Sequence, residues 1–208
     1  MLVCGVDEAG RGSMLGPLVV AAIAIEKSKI PLLAEMGVKD SKKLSPTARE
    51  SLYKKIIKLV DDYQVSKASP KEIDSAVLQH NLNHLEAFHM AKVIKKLQPS
   101  ISYVDSCDVN EVRFGKELAK LCKTGKIKSY HHADSKFVVV SAASIIAKVT
   151  RDRAIAKLAK THTVGSGYPS DPKAVQFVRN WFSKNGKMPV FVRKSWAPVK
   201  LIASQPLA

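Results

Sequence analysis

Acidic residues are scarce in this chain of 208 residues, where 18 Asp and Glu stand against 34 Lys and Arg, for a formal net charge of +16. A positive charge of this size favours a polyanionic partner, most often a nucleic acid. The alternative is a charge that serves solubility alone. Cysteines are also few: Cys4, Cys107 and Cys122 are scattered and odd in number, which argues against a disulfide framework or a zinc site and indicates a reducing compartment.

Long apolar runs are absent as well. The longest one, residues 18–25, is far too short to span a bilayer, and the first residues lack the basic and apolar regions of a secretory signal. We therefore expect a soluble, cytoplasmic protein without a membrane partner. Hydrophobic residues make up 46% and charged residues 25%, a mixture typical of one globular α/β domain at this length.

The common nucleotide-binding fingerprints are missing too. Gly10, Gly12 and Gly16 follow a predicted strand, but their spacing is one residue longer than GxGxxG and two carboxylates precede them. Residues 19–25 are typical of a strand, whereas that fingerprint requires a helix at this point. No GxxxxGK[ST] phosphate loop occurs either. A dinucleotide or P-loop nucleotide site is therefore excluded.

The apolar pattern predicts strands alternating with helices. We expect strands at 2–6, 18–25, 64–68, 101–105 and 127–131. We expect helices at 46–62, 80–97, 112–123, 137–158 and 173–182. Ser45 is a plausible N-cap for the first helix, and Pro46 suits its first position. This order indicates a mixed sheet with flanking helices and a small helical C-terminal segment.

Four of the scarce acids occur at or near the ends of predicted strands or just before a helix: Asp7, Glu8, Asp105 and Asp134. Converging carboxylates repel one another, and a pair of Mg²⁺ or Mn²⁺ ions with oxygen ligands would relieve that repulsion and suit phosphodiester hydrolysis. The alternative is that each acid caps a helix or pairs with a lysine. Because adjacent strand residues point to opposite faces, Asp7 and Glu8 can share one site only if the strand ends or bulges there.

Five blocks of the sequence stand out: GVDEAGRGSMLGPLV at 5–19, KDSKKLSPTAR at 39–49, YVDS at 103–106, ADSKFVVVSAASIIAKVTRDR at 133–153 and GSGYPSDP at 165–172. Together they resemble the signatures of the ribonuclease HII family, the type 2 ribonucleases H. The blocks stand in the family's order and cover nearly the whole chain. The length and the block RKSW at 193–196 resemble the archaeal branch. Ser13 is a departure, since many members have proline there, and we assign it no chemical role.

The resemblance implies that Asp7, Glu8, Asp105 and Asp134 form an acidic quartet that binds two divalent ions, Mg²⁺ or Mn²⁺. It also implies a ribonuclease H-like fold, with a central five-stranded mixed sheet between helices. Residues 1–164 would form the catalytic domain, and residues 165–208 would pack on it as a helical segment within a single structural unit.

The resemblance further implies which residues contact substrate. Gly10, Arg11 and Gly12 match the motif that reads the ribonucleotide 2′-hydroxyl through backbone groups, the group by which a protein distinguishes RNA from DNA. Tyr168 matches the tyrosine that stacks on the neighbouring sugar, although a tyrosine in such a turn is otherwise structural.

Other candidates for phosphate or substrate contact, by the same resemblance, are Lys42, Lys43, Ser141, Lys148 and Arg151. For Lys43 the alternative is a solvated charge at a helix entry. Two histidines just before the last acid could ligate a metal, but hard ions prefer oxygen ligands.

The resemblance implies an endonuclease that cuts the RNA strand of RNA–DNA hybrids and incises 5′ of single ribonucleotides embedded in duplex DNA. Its partners would be these duplexes, and a monomer is expected. A sliding clamp is a further candidate partner, although the tail LIASQPLA contains no clear clamp-binding peptide. The alternatives are a non-catalytic basic nucleic-acid-binding module and another nuclease of the same fold.

Overall fold

The structure, a computed structural model, describes residues 1–38, 44–123 and 125–204. Within these ranges five strands form one sheet: β1 (Leu2–Ala9), β2 (Leu18–Glu26), β3 (Asp62–Ala68), β4 (Ile101–Asp105) and β5 (Lys126–Tyr130). The strand order is β3-β2-β1-β4-β5, so β1 is central. β2 runs antiparallel to β1, whereas β4 is parallel to β1 and β5 is parallel to β4. The prediction of a mixed five-stranded sheet is confirmed.

The five predicted helices are present among the described residues, and four further helices accompany them. Together they are α1 (Ile30–Glu35), α2 (Pro46–Leu59), α3 (Pro70–Leu78), α4 (Leu82–Leu97), α5 (Glu111–Cys122), α6 (Ala133–Lys136), α7 (Val138–Ala159), α8 (Pro172–Asn185) and α9 (Ala197–Ala203), with a 3₁₀ turn at Lys27–Lys29. The predicted cap is confirmed, because the Ser45 side chain accepts a hydrogen bond from the Ala48 N–H. No helix in the described parts of the chain is long and apolar enough to cross a membrane.

The chain divides into two compact units. The first consists of Met1–Ala9, Val19–Ser66 and Asn83–Val149, and the second of Gly10–Leu18, Lys67–Leu82 and Thr150–Ala208. The second unit therefore contains the C-terminal segment together with two earlier stretches of chain. One of those stretches carries the glycine motif that follows β1.

The core of the first unit lies between the sheet and α7. β2 is buried from Leu18 to Ile25, and small residues such as Ala142 and Ala147 let α7 approach the sheet closely. Contact is tightest at Gly5, where an added Cβ would lie 2.1 Å from the Val139 carbonyl oxygen. Because alternate residues of a strand share a face, the face of β1 that carries Gly5 against α7 also carries Asp7.

The second unit has its own apolar core. It gathers Met14 and Leu15 from the stretch after β1 with Ile155 from α7 and Val178 from α8. An isolated antiparallel bridge pairs Leu15 with Val192, which joins the early stretch to the C-terminal one.

Candidate active site

Two of the predicted acids lie side by side at the ends of parallel strands. The register of β1 and β4 pairs Val6 with Val104, so Asp7 and Asp105 occupy the next positions on neighbouring strands. Asp7 is only 4% exposed. Burial raises its pKa from the ordinary 3.8 to about 7, and the charge of Asp105 contributes in the same direction.

Three groups of the first unit oppose this rise in the pKa of Asp7. Ser144 of α7 makes a side-chain hydrogen bond to the carboxylate, the Glu8 N–H donates to its Oδ1 at 2.7 Å, and the positive charge of Lys148 favours the ionised form. Ser144 and Lys148 are four residues apart, so they lie on one face of α7. The packing of α7 on β1 thus supplies the partners that orient Asp7.

The third acid is tied to this pair through the backbone. Asp105 Oδ1 accepts a hydrogen bond of 2.8 Å from the Ala133 N–H, the first residue of the short helix α6. Asp134, the next residue of α6, is 9% exposed. The structure therefore links the helix that carries Asp134 directly to the end of β4.

His131, which could have competed for a metal, is held in the loop between β5 and α6. Its ring Nε2 lies 2.7 Å from the Asp108 carbonyl oxygen, and its backbone N–H donates to the Glu111 carboxylate at 2.7 Å. Asp108 is itself 5% exposed, and each of its two carboxylate oxygens accepts a hydrogen bond from Nη2 of Arg113, at 2.6 and 2.8 Å. These contacts indicate that His131 fixes the loop that precedes α6.

Glu8 could share a site with Asp7 only if β1 ended or bulged between them, and the structure does not show this. β1 does not end at residue 6, because its pairing with β2 continues through Glu8↔Val20 to Ala9↔Val19 without an extra residue. The strand therefore neither ends nor bulges between the two acids, and pleating directs the Cβ atoms of Asp7 and Glu8 to opposite faces of the strand. A role for Glu8 in a shared metal site would require its longer side chain to reach around the strand, and this role stays a prediction.

The acidic pair has the chemistry of a site for a hard divalent cation. Within residues 1–38, 44–123 and 125–204, no three His, Cys, Asp or Glu side chains already form a ready set of metal ligands. However, Asp7 and Asp105 offer carboxylate oxygens, the donors that Mg²⁺ and Mn²⁺ prefer. A cation beside Asp7 would lower the pKa that burial and Asp105 raise. The residues present therefore fit such an ion.

The glycine motif forms a tight turn in the second unit. The Ser13 N–H donates to the Gly10 carbonyl at 3.2 Å, and Gly10 has a φ of +85°. An added Cβ on Gly10 would lie 3.0 Å from the Pro17 carbonyl oxygen and 3.2 Å from Cγ of Arg151, whereas one on Gly12 would meet nothing within 4 Å. Gly10 is therefore required by the fold, while the exposed Gly12 leaves backbone open to a ligand.

Tyr168 lies in a loop that is bonded to this turn. The carbonyl of Gly167 accepts hydrogen bonds from the Met14 N–H at 2.8 Å and the Leu15 N–H at 3.3 Å. The guanidinium of Arg151 stacks over the Tyr168 ring, 4.3 Å from its centroid. The structure thus brings the predicted 2′-hydroxyl reader and the predicted sugar-stacking residue together within the second unit.

The side chain of Arg151 is buried and links two loops within the second unit. It is 3% exposed, and its Nη2 donates to the Ser13 hydroxyl at 2.8 Å and to the Ser166 carbonyl at 2.5 Å. The buried guanidinium thus connects the glycine turn to the loop that carries Tyr168 and holds both in place. Its predicted direct contact with substrate stays a prediction.

The remaining candidates lie in different surroundings. Ser141 is 1% exposed, and its hydroxyl donates to the Val38 carbonyl, so it serves packing in the first unit. The charge of Lys148 favours the ionised form of Asp7, and its predicted contact with substrate stays a prediction. Lys42 and Lys43 fall outside the residues that the structure describes.

Two residues of this region were missed by sequence reasoning. Ser13, fully buried, has its hydroxyl 2.8 Å from the Leu15 carbonyl and 2.9 Å from the Gly167 carbonyl, besides accepting from Arg151. Arg193, also fully buried, donates to backbone carbonyls of the glycine turn. The signal for Arg193 was the block RKSW, to which no role was given.

The chain is similar to known proteins over nearly its whole length. A family model described as Ribonuclease HII matches residues 4–199. A relative named Ribonuclease HII from Cenarchaeum symbiosum is 56% identical over 203 residues, which cover 97% of this chain and 98% of the relative.

Solved structures show the same similarity. The ribonuclease H2 of Pyrococcus horikoshii superposes with a TM-score of 0.91 at 43% identity, covering 98% of this chain and 97% of that one. The ribonuclease HII chain of a PCNA:RNase HII complex from Archaeoglobus fulgidus gives a TM-score of 0.89 at 39% identity, covering 99% of this chain and 98% of that one. The chain therefore belongs to the ribonuclease HII family and has its ribonuclease H-like fold, and it is an endoribonuclease acting on RNA–DNA hybrids rather than a non-catalytic basic module.

Proposed function

We propose that this enzyme hydrolyses the RNA strand of RNA–DNA hybrids and also incises duplex DNA 5′ of a single embedded ribonucleotide, leaving 3′-hydroxyl and 5′-phosphate ends. The observation that carries the chemistry is the pairing of the buried Asp7 with the half-buried Asp105 on neighbouring parallel strands, where burial and repulsion raise the pKa of Asp7 to about 7. Such a pair favours a cation beside it.

In this proposal Asp7, Glu8, Asp105 and Asp134 hold two Mg²⁺ or Mn²⁺ ions. Divalent-metal dependence is a general property of ribonucleases H. When bound, such ions supply positive charge that promotes attack by water and stabilises the leaving oxygen. Ser144 and Lys148 orient Asp7 for this task and favour its ionised form.

Recognition of the ribose is assigned to the second unit. The exposed Gly12 backbone accepts close approach of a sugar, and Tyr168, held by Arg151, stacks on the neighbouring one. A ribonucleotide is then selected by its 2′-hydroxyl, the group that DNA lacks. The net charge of +16 supports binding of the phosphate backbone, with affinity that falls steeply as salt rises.

The test uses three duplexes of one sequence that contain no ribonucleotide, one ribonucleotide or a continuous RNA strand. With Mg²⁺ or Mn²⁺ the enzyme is expected to cut the latter two and to leave the all-DNA duplex intact. Asp105→Asn should abolish cleavage but retain binding, because it removes one ligand charge and little surface. Cleavage of all-DNA, or failure to cut at a single ribonucleotide, would contradict the proposed specificity.

We further propose that the enzyme is a monomer in the cytoplasm and that it binds a sliding clamp. The clamp proposal is supported by the Archaeoglobus fulgidus relative, which was solved as a complex with PCNA. The tail LIASQPLA has no clear clamp-binding peptide, and its last four residues lie outside the described ranges. Size-exclusion chromatography tests the oligomeric state and the clamp binding. The enzyme alone should elute as a monomer, and it should elute earlier, together with the clamp, when an archaeal clamp is added.

A further inference from the structure

Arg193 is a buried cation with an unusual set of acceptors. Its side chain is fully buried, which is rare for arginine and costs free energy unless the charge is well solvated by the protein. Its Nη1 donates to the Arg11 carbonyl at 2.8 Å, and its Nε donates to the Gly16 carbonyl at 3.1 Å. Its guanidinium carbon lies 5.1 Å from the centroid of the Trp196 ring. One side chain from the C-terminal part thus holds two carbonyls around the glycine turn.

The segment that carries Arg193 is itself fastened to the same stretch. The Arg193 N–H donates to the Met14 carbonyl at 2.9 Å, and the Gly16 N–H donates to the Phe191 carbonyl at 2.9 Å. These bonds flank the bridge between Leu15 and Val192. The guanidinium therefore approaches the turn from a fixed backbone.

Asp74 anchors the next residues of this segment. Its carboxylate accepts from the Lys194 N–H at 3.0 Å, from the Ser195 N–H at 2.9 Å and from the Ser195 hydroxyl at 2.6 Å. Residues 193–195 thus connect α3 and the glycine turn within the second unit. Nothing in the chemistry proposed above uses this connection.

The Arg11 carbonyl matters because of the peptide group to which it belongs. In a trans peptide the carbonyl and the following N–H point in opposite directions, and the described residues contain no cis peptide bond. Fixing the Arg11 oxygen toward Arg193 therefore aims the Gly12 N–H away from Arg193. Gly12 is exposed, and an added Cβ would have open space around it. The donor is thus presented on the open side of the turn.

We propose that Arg193 is a positioning residue that orients the Arg11–Gly12 peptide so that the Gly12 N–H faces the 2′-oxygen of a bound ribonucleotide. The C-terminal segment then contributes to the choice between ribose and deoxyribose without touching substrate. This inference rests on the proposed reading of the 2′-hydroxyl by the glycine turn.

The experiment compares binding of two duplexes that differ by one 2′-hydroxyl. The dissociation constants of the metal-free protein, in EDTA and low salt, are measured by fluorescence anisotropy for a duplex with one ribonucleotide and for the matched all-DNA duplex. Arg193→Met removes both donors, Arg193→Lys keeps the charge but not the planar fork, and Arg179→Met removes an exposed cation of α8 as the charge-matched control.

Arg193→Met is expected to reduce the preference for the ribonucleotide duplex about tenfold, the size of one net hydrogen bond, while leaving the all-DNA affinity unchanged. Arg193→Lys should show a similar loss, because one ammonium cannot hold both carbonyls in the same geometry. Arg179→Met should weaken both duplexes equally and preserve the ratio. All measurements are made well below the melting temperature of each variant.

An unchanged ratio in folded Arg193→Met, or equal weakening of both duplexes, would overturn the role of Arg193 alone. A wild-type protein without any preference would overturn it together with the proposed reading by the turn. If Arg193→Met does not fold, Arg193→Lys decides, since it keeps the charge but cannot hold both carbonyls in the same geometry. A reduced ratio in folded Arg193→Lys supports the proposal, and an unchanged ratio refutes it.

Discussion

Replacing Asp7 by asparagine should abolish cleavage and, without metal, make the protein more stable. The carboxylate is buried beside Asp105, and its pKa is raised from 3.8 to about 7, chiefly by burial and then by that neighbour's charge. Asparagine has nearly the same shape and cannot ionise. The substitution therefore removes a charge that the metal-free fold tolerates poorly, and with it a ligand that the proposed ions require.

The magnitude and its pH dependence follow from the pKa. A raised pKa means that the folded protein holds this proton more tightly than the unfolded chain does, so the contribution of Asp7 to the free energy of unfolding is greatest below about pH 4 and is lost as pH rises through 7. Because one pKa unit corresponds to about 1.4 kcal/mol, the full loss is on the order of 4 kcal/mol. For a chain of this size that corresponds to a difference in melting temperature of roughly 10 °C. The asparagine variant lacks this loss.

Thermal melts in EDTA between pH 4 and pH 9 measure the effect, with Asp62→Asn as the same chemical change on the surface. The Asp7→Asn variant should gain over wild type as pH rises and reach its full advantage above pH 7. Added Mg²⁺ should stabilise wild type more than the variant, because ligand binding to the folded state raises its stability. An Asp7→Asn variant that melts no higher than wild type at pH 8, or whose advantage is equal at pH 5 and pH 8, would refute the reasoning.

Three further predictions concern the second unit and the packing of α7. Tyr168→Ala should lose on the order of 100-fold more kcat/KM on a single embedded ribonucleotide than on a continuous hybrid, which offers other registers; equal losses with a lowered melting temperature would indicate a structural role instead. Ser13→Ala should destabilise the protein by about 1–3 kcal/mol, measured by urea unfolding, because the buried Arg151 loses an acceptor; an unchanged midpoint would show that another group replaces the hydroxyl. Gly5→Ala should prevent stable folding, because its Cβ would lie 2.1 Å from a backbone oxygen of α7, and a Gly5→Ala protein with a normal melting temperature would contradict this packing. The matched change Gly12→Ala, where the added Cβ meets nothing within 4 Å, should melt like wild type and lose cleavage.

The architecture was largely predictable, because the alternation of apolar strands and amphipathic helices is a local signal. Helix α3 shows how such a signal can be missed: Ser69 and Glu72 form a capping box around Pro70, a pattern readable in the sequence that we did not use. The end of β1 was predicted too early, at residue 6 instead of Ala9, for a different reason. Pairing with β2 carries the strand to Ala9, and the identity of its own residues does not reveal how long the partner continues.

The candidate site was predictable where the residues themselves carry the chemistry, as for Asp7 and Asp105. It was not predictable where contacts join distant parts of the chain. Arg193 lies 182 residues beyond Arg11, whose carbonyl it holds, and Ser13 lies 154 residues before Gly167. A buried arginine and a buried serine look like any surface residue in the sequence, because only the tertiary fold gives them their acceptors.

The raised pKa of Asp7 would also couple the binding of the proposed ions to proton release. Near neutral pH the proton is still held by part of the metal-free molecules, and a carboxylate must lose its proton before it can ligate a cation. Under the proposed assignment, a more acidic medium would therefore weaken the affinity for the ion without any change in the ligands. The fraction of enzyme molecules that carry metal would then depend on pH.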